Sequence, residues 1–273
     1  MTKFLLIVLS LFSLNTYALS LDLPDGESSD VEVYSGDDKK YEIIYMHGKS
    51  SIVVIDPAEV LFKNLSSAGY TVYTAQMPWG REKYRGTMKT ANLIIDRLAT
   101  KIRSKGKRVV LMGHSMGASY AINYAAQYGD KLAGIVPIAL GHVPQMNERF
   151  HQETAQSVAR AKQMVASGKG KEATDFNDLN KGESYEIEAT AEYYKSFYDP
   201  ATYPNVSEQV EQVKVPTLWI SGRRDRLTDL YEHENLFNTL PANSKNSYEL
   251  IKGRHVSVLK FCSETVIDWL NEL

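Results

Sequence analysis

Cysteine is nearly missing from this chain: Cys262 is its only one, which excludes any disulfide within it. A mature chain of about 250 residues can bury a sizeable core and needs no such staple. Cys262 lies in an apolar helical pattern near the C-terminus and reads as a small buried residue, not a reactive thiol. An excess of one charge is also missing. Lys and Arg number 31 against 33 Asp and Glu, a net charge of −2, with both signs well mixed. That leaves no basic patch of the kind a nucleic-acid partner requires. Beyond the first few residues no long apolar run occurs, so no stable membrane insertion is expected of the mature chain. Internal repeats and low-complexity tracts are absent as well.

The N-terminus holds the one long apolar stretch. Lys3 gives a basic start, Phe4 to Leu14 is apolar except for Ser10 and Ser13, and Thr16-Tyr17-Ala18 offers small residues at a cleavage site. This is the pattern of a signal peptide over residues 1–18, and its apolar run falls short of the ~20 residues that span a bilayer. Cleavage after Ser20 fits nearly as well. The expected destination is the periplasm or the medium.

Residues 19–40 are polar and irregular, and read as a poorly ordered lead-in. From Tyr41 onward, short apolar runs alternate with segments of helical spacing. Tyr41 to Met46, Tyr70 to Ala75, Val109 to Met112, Leu132 to Leu140, Leu218 to Ile220 and Tyr248 to Ile251 read as strands. Pro57 to Ala68, Thr87 to Ser104, Ala118 to Tyr128 and Val256 to Leu273 read as helices, the last anchored by Val258, Phe261, Val266, Trp269 and Leu270. Such alternation predicts an α/β fold: a mostly parallel sheet with helices on both faces, formed by residues 19–141 and 214–273. Residues 142–213 interrupt it with helical pieces and little strand character, and read as an inserted cap.

Gly113-His114-Ser115-Met116-Gly117 matches G-x-S-x-G between a strand and a helix, where a sharp turn pushes a serine hydroxyl out of the sheet. A serine hydroxyl needs a base to become a nucleophile. Of six histidines, His255 follows the last strand at the same sheet edge as Ser115. His114 adjoins the serine but would point elsewhere, His47 supports its own loop, His142 and His151 fall in the insertion, and His233 lies in a surface helix. Asp225, after Leu218 to Gly222, is the acid that would orient the base, with Asp229 and then Asp199 behind it. The chain order Ser115, Asp225, His255 is the one this turn type carries. Backbone N–H groups of Met116 and of Lys49, in His47-Gly48-Lys49, are the expected oxyanion donors.

These residues make the sequence resemble the α/β-hydrolase superfamily, within it the monoglyceride-lipase and serine-aminopeptidase-like groups. The matching features are His47-Gly48, Gly113 to Gly117, Ser221-Gly222 followed by Asp225, and His255. The resemblance implies an α/β-hydrolase fold with a helical cap, hydrolysis of a small acyl substrate through an acyl-enzyme, and neither metal nor organic cofactor. An esterase or lysophospholipase-like activity on carboxylic esters is the first expectation. An aminopeptidase-like enzyme and a hydrolase-like binding protein without turnover are the alternatives. One departure is Lys49-Ser50-Ser51, where the family often has a second glycine. His47, Gly48, His114, Tyr194 and Phe197 are candidates for the substrate pocket. Tyr193, Tyr194, Phe197 and Tyr198 would either wall it or pack the cap onto the core, as would Met146 and Phe150. The acids of the insertion, Glu172, Asp175, Asp178, Glu183, Glu186, Glu188 and Glu192, read as a solvated face.

Overall fold

The structure, a computed structural model, describes residues 16–23, 28–49, 54–80, 84–141, 147–180, 182–203, 205–227 and 229–273. Residues 1–15 of the expected leader lie outside these, as do His142 and Met146.

The lead-in is not irregular. β1 (Thr16–Asp22) and β2 (Ser28–Tyr34) pair antiparallel, and β2 continues into the main sheet. Ser29, Val31 and Val33 face inward while Asp30 and Glu32 face water, a period of two that polar neighbours masked.

The predicted alternation comes next: β3 (Tyr41–Met46), α1 (Asp56–Ser67), β4 (Val72–Ala75), α2 (Met88–Ser104), β5 (Arg108–Ser115), α3 (Met116–Tyr128) and β6 (Gly134–Leu140). Then come α4 (Glu148–Ala166), β7 (Ala173–Asn180), β8 (Glu183–Thr190), α5 (Ala191–Tyr198) and α6 (Val206–Val210). The chain closes with β9 (Leu218–Gly222), α7 (Leu230–Asn238), β10 (Ser247–Ile251) and α8 (Ser263–Glu272).

The main sheet has eight strands in the order β1-β2-β4-β3-β5-β6-β9-β10, parallel from β4 to β10. Its pleat sends alternate residues to two cores. Ile44, Met46, Val109 and Leu111 join the core that holds the inner residues of α2 and α3, whereas Ile43, Tyr45, Val110 and Met112 join that of α1 and α8. α2 shows why such segments are helices. Its stripe of Ala91, Ile94, Ile95, Leu98 and Ile102 is fully or almost fully buried, each large side chain contributing roughly 1.5–3 kcal/mol. The Thr87 hydroxyl accepts from the Thr90 N–H while the Thr90 hydroxyl accepts from the Thr87 N–H, a reciprocal cap that adds about 1 kcal/mol.

Two further expectations are corrected. The C-terminal segment is not one helix: a short tight turn at Ser257–Lys260 precedes α8, and Phe261 between them is 41% exposed instead of anchored. Cys262 is fully buried, its thiol donating to the Leu259 carbonyl, and burial pushes that thiol up to about 12. The insertion, in turn, contains a real hairpin, β7 with β8. Its acids alternate with inward residues: Asp175, Glu186 and Glu188 are exposed while Phe176, Ile187 and Ala189 are buried. Asp178 is the exception to the solvated face, for it is fully buried.

Strand order, parallel run, helices on both faces and a predominantly helical insertion after β6 together make this an α/β-hydrolase fold.

Candidate active site

Ser115 ends β5 and has φ 55° and ψ −117°. A non-glycine residue there is strained by about 1–3 kcal/mol and persists only where its neighbours dictate it. The two motif glycines do so. A Cβ on Gly113 would come within 2.1 Å of the Gly117 carbonyl oxygen, and one on Gly117 within 2.2 Å of the Met46 carbonyl oxygen. Only hydrogens fit, so α3 packs directly against β5 and β3, and the tight turn lifts the Ser115 hydroxyl above the sheet edge.

At that edge the loop after β10 brings in His255. Its Nε2 lies 2.9 Å from Ser115 Oγ and its Nδ1 lies 2.7 Å from Asp225 Oδ2. Asp225 sits in the loop after β9, where its other oxygen accepts the Leu227 N–H at 3.0 Å. Burial alone would raise the Asp225 carboxyl, but the hydrogen bond and charge of His255 and the Leu227 N–H outweigh it and hold the carboxyl below its ordinary value. An ionised Asp225 can only accept, so the proton rests on Nδ1 and Nε2 is left to accept from the serine hydroxyl.

The other acids and histidines have other duties. Asp229 caps α7, accepting the Tyr231 N–H at 2.9 Å. Asp199 is buried, 3.4 Å from Lys162 Nζ, and accepts the Ala201 N–H. His47 Nδ1 donates to the Gly48 carbonyl at 2.8 Å and Nε2 accepts the Met77 N–H at 3.0 Å, so it holds its loop as a neutral ring. Burial pulls its pKa down to about 4. His114 turns from Ser115 and donates through Nε2 to the His255 carbonyl at 2.8 Å, with burial lowering it to about 3. His233 is not a surface residue: it is 3% exposed, beside Trp219 and Ser221.

Two loops approach Ser115 through glycine. A Cβ on Gly48 would lie 3.1 Å from Ser115 Cβ and 3.1 Å from His114 Nδ1. One on Gly141 would lie 2.8 Å from the Met116 nitrogen and 3.0 Å from Ser115 Oγ. Gly48 and Gly141 are thus set closely against Ser115, while Lys49, directly after Gly48, and Met116, the first residue of α3, line the cleft beside it.

A narrow cleft opens there. The core lines it with Ser115, Met116, Gly141, Lys49 and Tyr84, and the insertion with Phe150, Asn180, Phe197, Tyr198 and Tyr203. Of the pocket candidates, Phe197 borders this cleft. Tyr194 does not: it stacks on Phe176 and Tyr198 and donates to the Asn177 carbonyl, packing the insertion internally. His47, Gly48 and His114 are not part of its lining. Tyr84, Gly141, Asn180 and Tyr203 were missed, and so was the Lys49 side chain. No local pattern marks them, because each reaches the cleft through a tertiary contact. Among the described residues, no group of three or more His, Cys, Asp or Glu could hold a metal ion, and no helix is long and apolar enough to cross a membrane.

The family model of serine aminopeptidase S33 matches residues 38–258, most of the chain. The chain belongs to this family. It is therefore an S33 serine hydrolase of the α/β-hydrolase superfamily. Solved structures agree on the fold. A monoacylglycerol lipase of Paleococcus ferrophilus is 18% identical with a TM-score of 0.64, over 94% of this chain and 99% of that one. An esterase of Pyrococcus furiosus is 19% identical with a TM-score of 0.63, over 95% and 91%. An α/β-hydrolase of Penicillium sp. is 14% identical with a TM-score of 0.73, over 95% and 99%. Comparison with curated proteins gives no match. Serine chemistry requires a base within reach of the hydroxyl, and here the His255 imidazole stands 2.9 Å from Ser115 Oγ.

Proposed function

We propose that this S33 serine hydrolase cleaves carboxylic esters by a two-step acyl transfer to water. His255 takes the Ser115 proton as the hydroxyl attacks the carbonyl, and Asp225 steadies the imidazolium that forms. The N–H groups of Lys49 and Met116 receive the charge that develops on the carbonyl oxygen. His255 then gives its proton to the leaving alcohol. Water attacks the acyl-enzyme by the same route, releasing the acid and restoring Ser115. The observation that carries this reading is the unbroken chain from Ser115 Oγ to His255 to Asp225, at 2.9 and 2.7 Å.

The cleft favours an ester over a peptide's free amine. An aminopeptidase needs an acceptor for the substrate's ammonium, and the buried carboxylate bound to the lining residue Lys49, Asp178, is already engaged by Lys49, Tyr185 and the Leu179 N–H. The family's description favours the aminopeptidase reading, so the two are tested together. Export belongs to the reading too, supported by the basic and apolar leader; cleavage after Ala18 leaves Leu19 to Asp22 of β1 paired with β2.

A fluorophosphonate probe should label the parent protein and leave Ser115→Ala unlabelled. Short-chain chromogenic esters should turn over faster than aminoacyl arylamides, and the exported protein should begin at Leu19 or Leu21. Equal labelling of Ser115→Ala would overturn the nucleophile. Arylamide turnover above ester turnover would overturn the ester, and an N-terminus at Met1 would overturn export.

A further inference from the structure

We propose that Lys49 and Asp178 form a clasp through which the inserted segment sets the geometry of the oxyanion donors, making Lys49 a positioning residue through its side chain as well as a donor through its backbone. This rests on the reading that the Lys49 N–H faces the developing oxyanion.

Lys49 opens the Lys49-Ser50-Ser51 stretch in which a second glycine is expected, and it carries a long cationic stem. That stem does not reach water. Its side chain is 6% exposed and that of Asp178 is fully buried. The ammonium donates to Asp178 Oδ1 and to the Leu179 carbonyl, and it stands 5.4 and 5.1 Å from the ring centroids of Phe150 and Tyr198. All four partners belong to the insertion, on α4, β7 and α5, whereas the Lys49 backbone belongs to the loop after β3. One side chain is therefore gripped by three inserted elements.

The grip is directional. Asp178 also accepts the Tyr185 hydroxyl on Oδ2 and the Leu179 N–H on Oδ1, each at 2.7 Å, so the hairpin fixes where the carboxylate stands. Burial pulls the ammonium down from its ordinary value, and the attraction and hydrogen bond of Asp178 act against it. Removing two charges from water is expensive, and a well-packed apolar pair often stabilises a fold as well or better. Stability therefore does not explain the pair. What an ion pair supplies and an apolar pair does not is a fixed distance and direction. Here that direction runs from the hairpin to a backbone adjoining Gly48, itself packed against Ser115. A displacement of the insertion would break all four contacts of the ammonium together and release the donor.

The test compares Lys49→Met, Asp178→Leu and the double variant with the parent, on a short-chain chromogenic ester and with the fluorophosphonate probe. The single variants should lose both thermal stability and kcat, since Asp178→Leu strands a buried ammonium and Lys49→Met a buried carboxylate. In the double variant Tm should recover above that of either single variant, short of the parent's by what the Tyr185 hydroxyl and Leu179 N–H lose with their carboxylate acceptor, while kcat stays about tenfold lower, KM remains within about twofold and probe labelling slows in step with kcat. Such a split marks an interaction made in the transition state. A folded double variant with parent kcat overturns the clasp, and its normal labelling would leave the Ser115 reading standing. Failure of the parent itself to react with the probe overturns that reading instead. If the double variant does not fold, Asp178→Asn keeps the shape and an acceptor but drops the charge. A loss in kcat of about threefold or more at unchanged KM supports the clasp, and parent kcat overturns it.

Discussion

At the scale of single residues, the site divides its carboxylates by what each one touches. Asp225 and Asp229 are four positions apart, and either could have served His255 on chain order alone. Asp225 meets His255 Nδ1 at 2.7 Å, whereas Asp229 accepts the backbone N–H of Tyr231 at the start of α7. The consequences of the same substitution should differ sharply. Asp225→Asn presents an amide where the ring proton needs an anion, so the imidazole is held in the wrong tautomer and kcat should fall on the order of 10⁴-fold. Asp229→Asn should leave kcat within about twofold, because asparagine caps a helix as well as aspartate does. Steady-state rates of the two variants on one chromogenic ester check this. Equal effects would mean that the acid has been assigned to the wrong loop.

At the scale of elements, β6 shows how a strand irregularity shapes the site. His114 pairs with Ile138 and Ser115 with Leu140, so Ala139 is an extra residue in the ladder, with φ 47°. Such a bulge bends its strand and re-aims the residues beyond it. Gly141 is the residue re-aimed here, set against Ser115 and Met116. Gly141→Ala would place a methyl 2.8 Å from the Met116 nitrogen, which blocks the N–H proposed as an oxyanion donor. We expect kcat to fall by about 10²-fold or more, with probe labelling slowed alongside it and the far-ultraviolet circular dichroism of the parent retained. Parent-like turnover in a folded Gly141→Ala protein would remove Met116 from the site. This contrast also explains what the sequence made legible. Ser115, Asp225 and His255 were readable because each follows an apolar run that must be a strand, and parallel strands share one carboxyl edge. Gly113 and Gly117 were readable because the turn they serve is local. Gly141 was not, since its need for a bare Cα arises from a chain segment far away in sequence. β2 and the β7–β8 hairpin were hidden because acidic and hydroxyl residues fill their outward positions, diluting the alternation that marks a half-buried strand. Asp178 was misread for the same reason: the polar residues before it, Asp175 and Asn177, are exposed, and only pairing with β8 turns it inward.

At the scale of the whole molecule, three buried histidines set how the fold responds to acid. Burial lowers His47 and His233 to about 4 and His114 to about 3, against an ordinary value of 6.5. The unfolded chain therefore takes up protons on these rings as pH falls below about 6.5, while the folded chain refuses them until near pH 4. In that window the unfolded state binds more protons, so stability falls as pH falls. Each ring contributes a slope of about 1.4 kcal/mol per pH unit once the difference is complete, and three together contribute roughly 4. Asp225 acts at a lower pH. Its depressed carboxyl gives stability above the unfolded value of 3.8 that is lost only as pH drops through the folded one. Against a total of about 5–15 kcal/mol for a typical domain, the histidine slope alone brings the fold close to its limit by about pH 4. The expected profile is thus a Tm nearly level from about pH 8 to 7 and steeply falling from about pH 6 to 4.5. His233 offers a useful control because its ring meets Ser221 and Trp219, and Asp225 and His255 act on it through charge alone. His233→Asn cannot take up that proton, so its Tm should start lower at about pH 7 yet fall by about one third less across the window. An unchanged slope in this variant, measured by thermal melts at matched ionic strength, would show that the ring is already charged in the folded state.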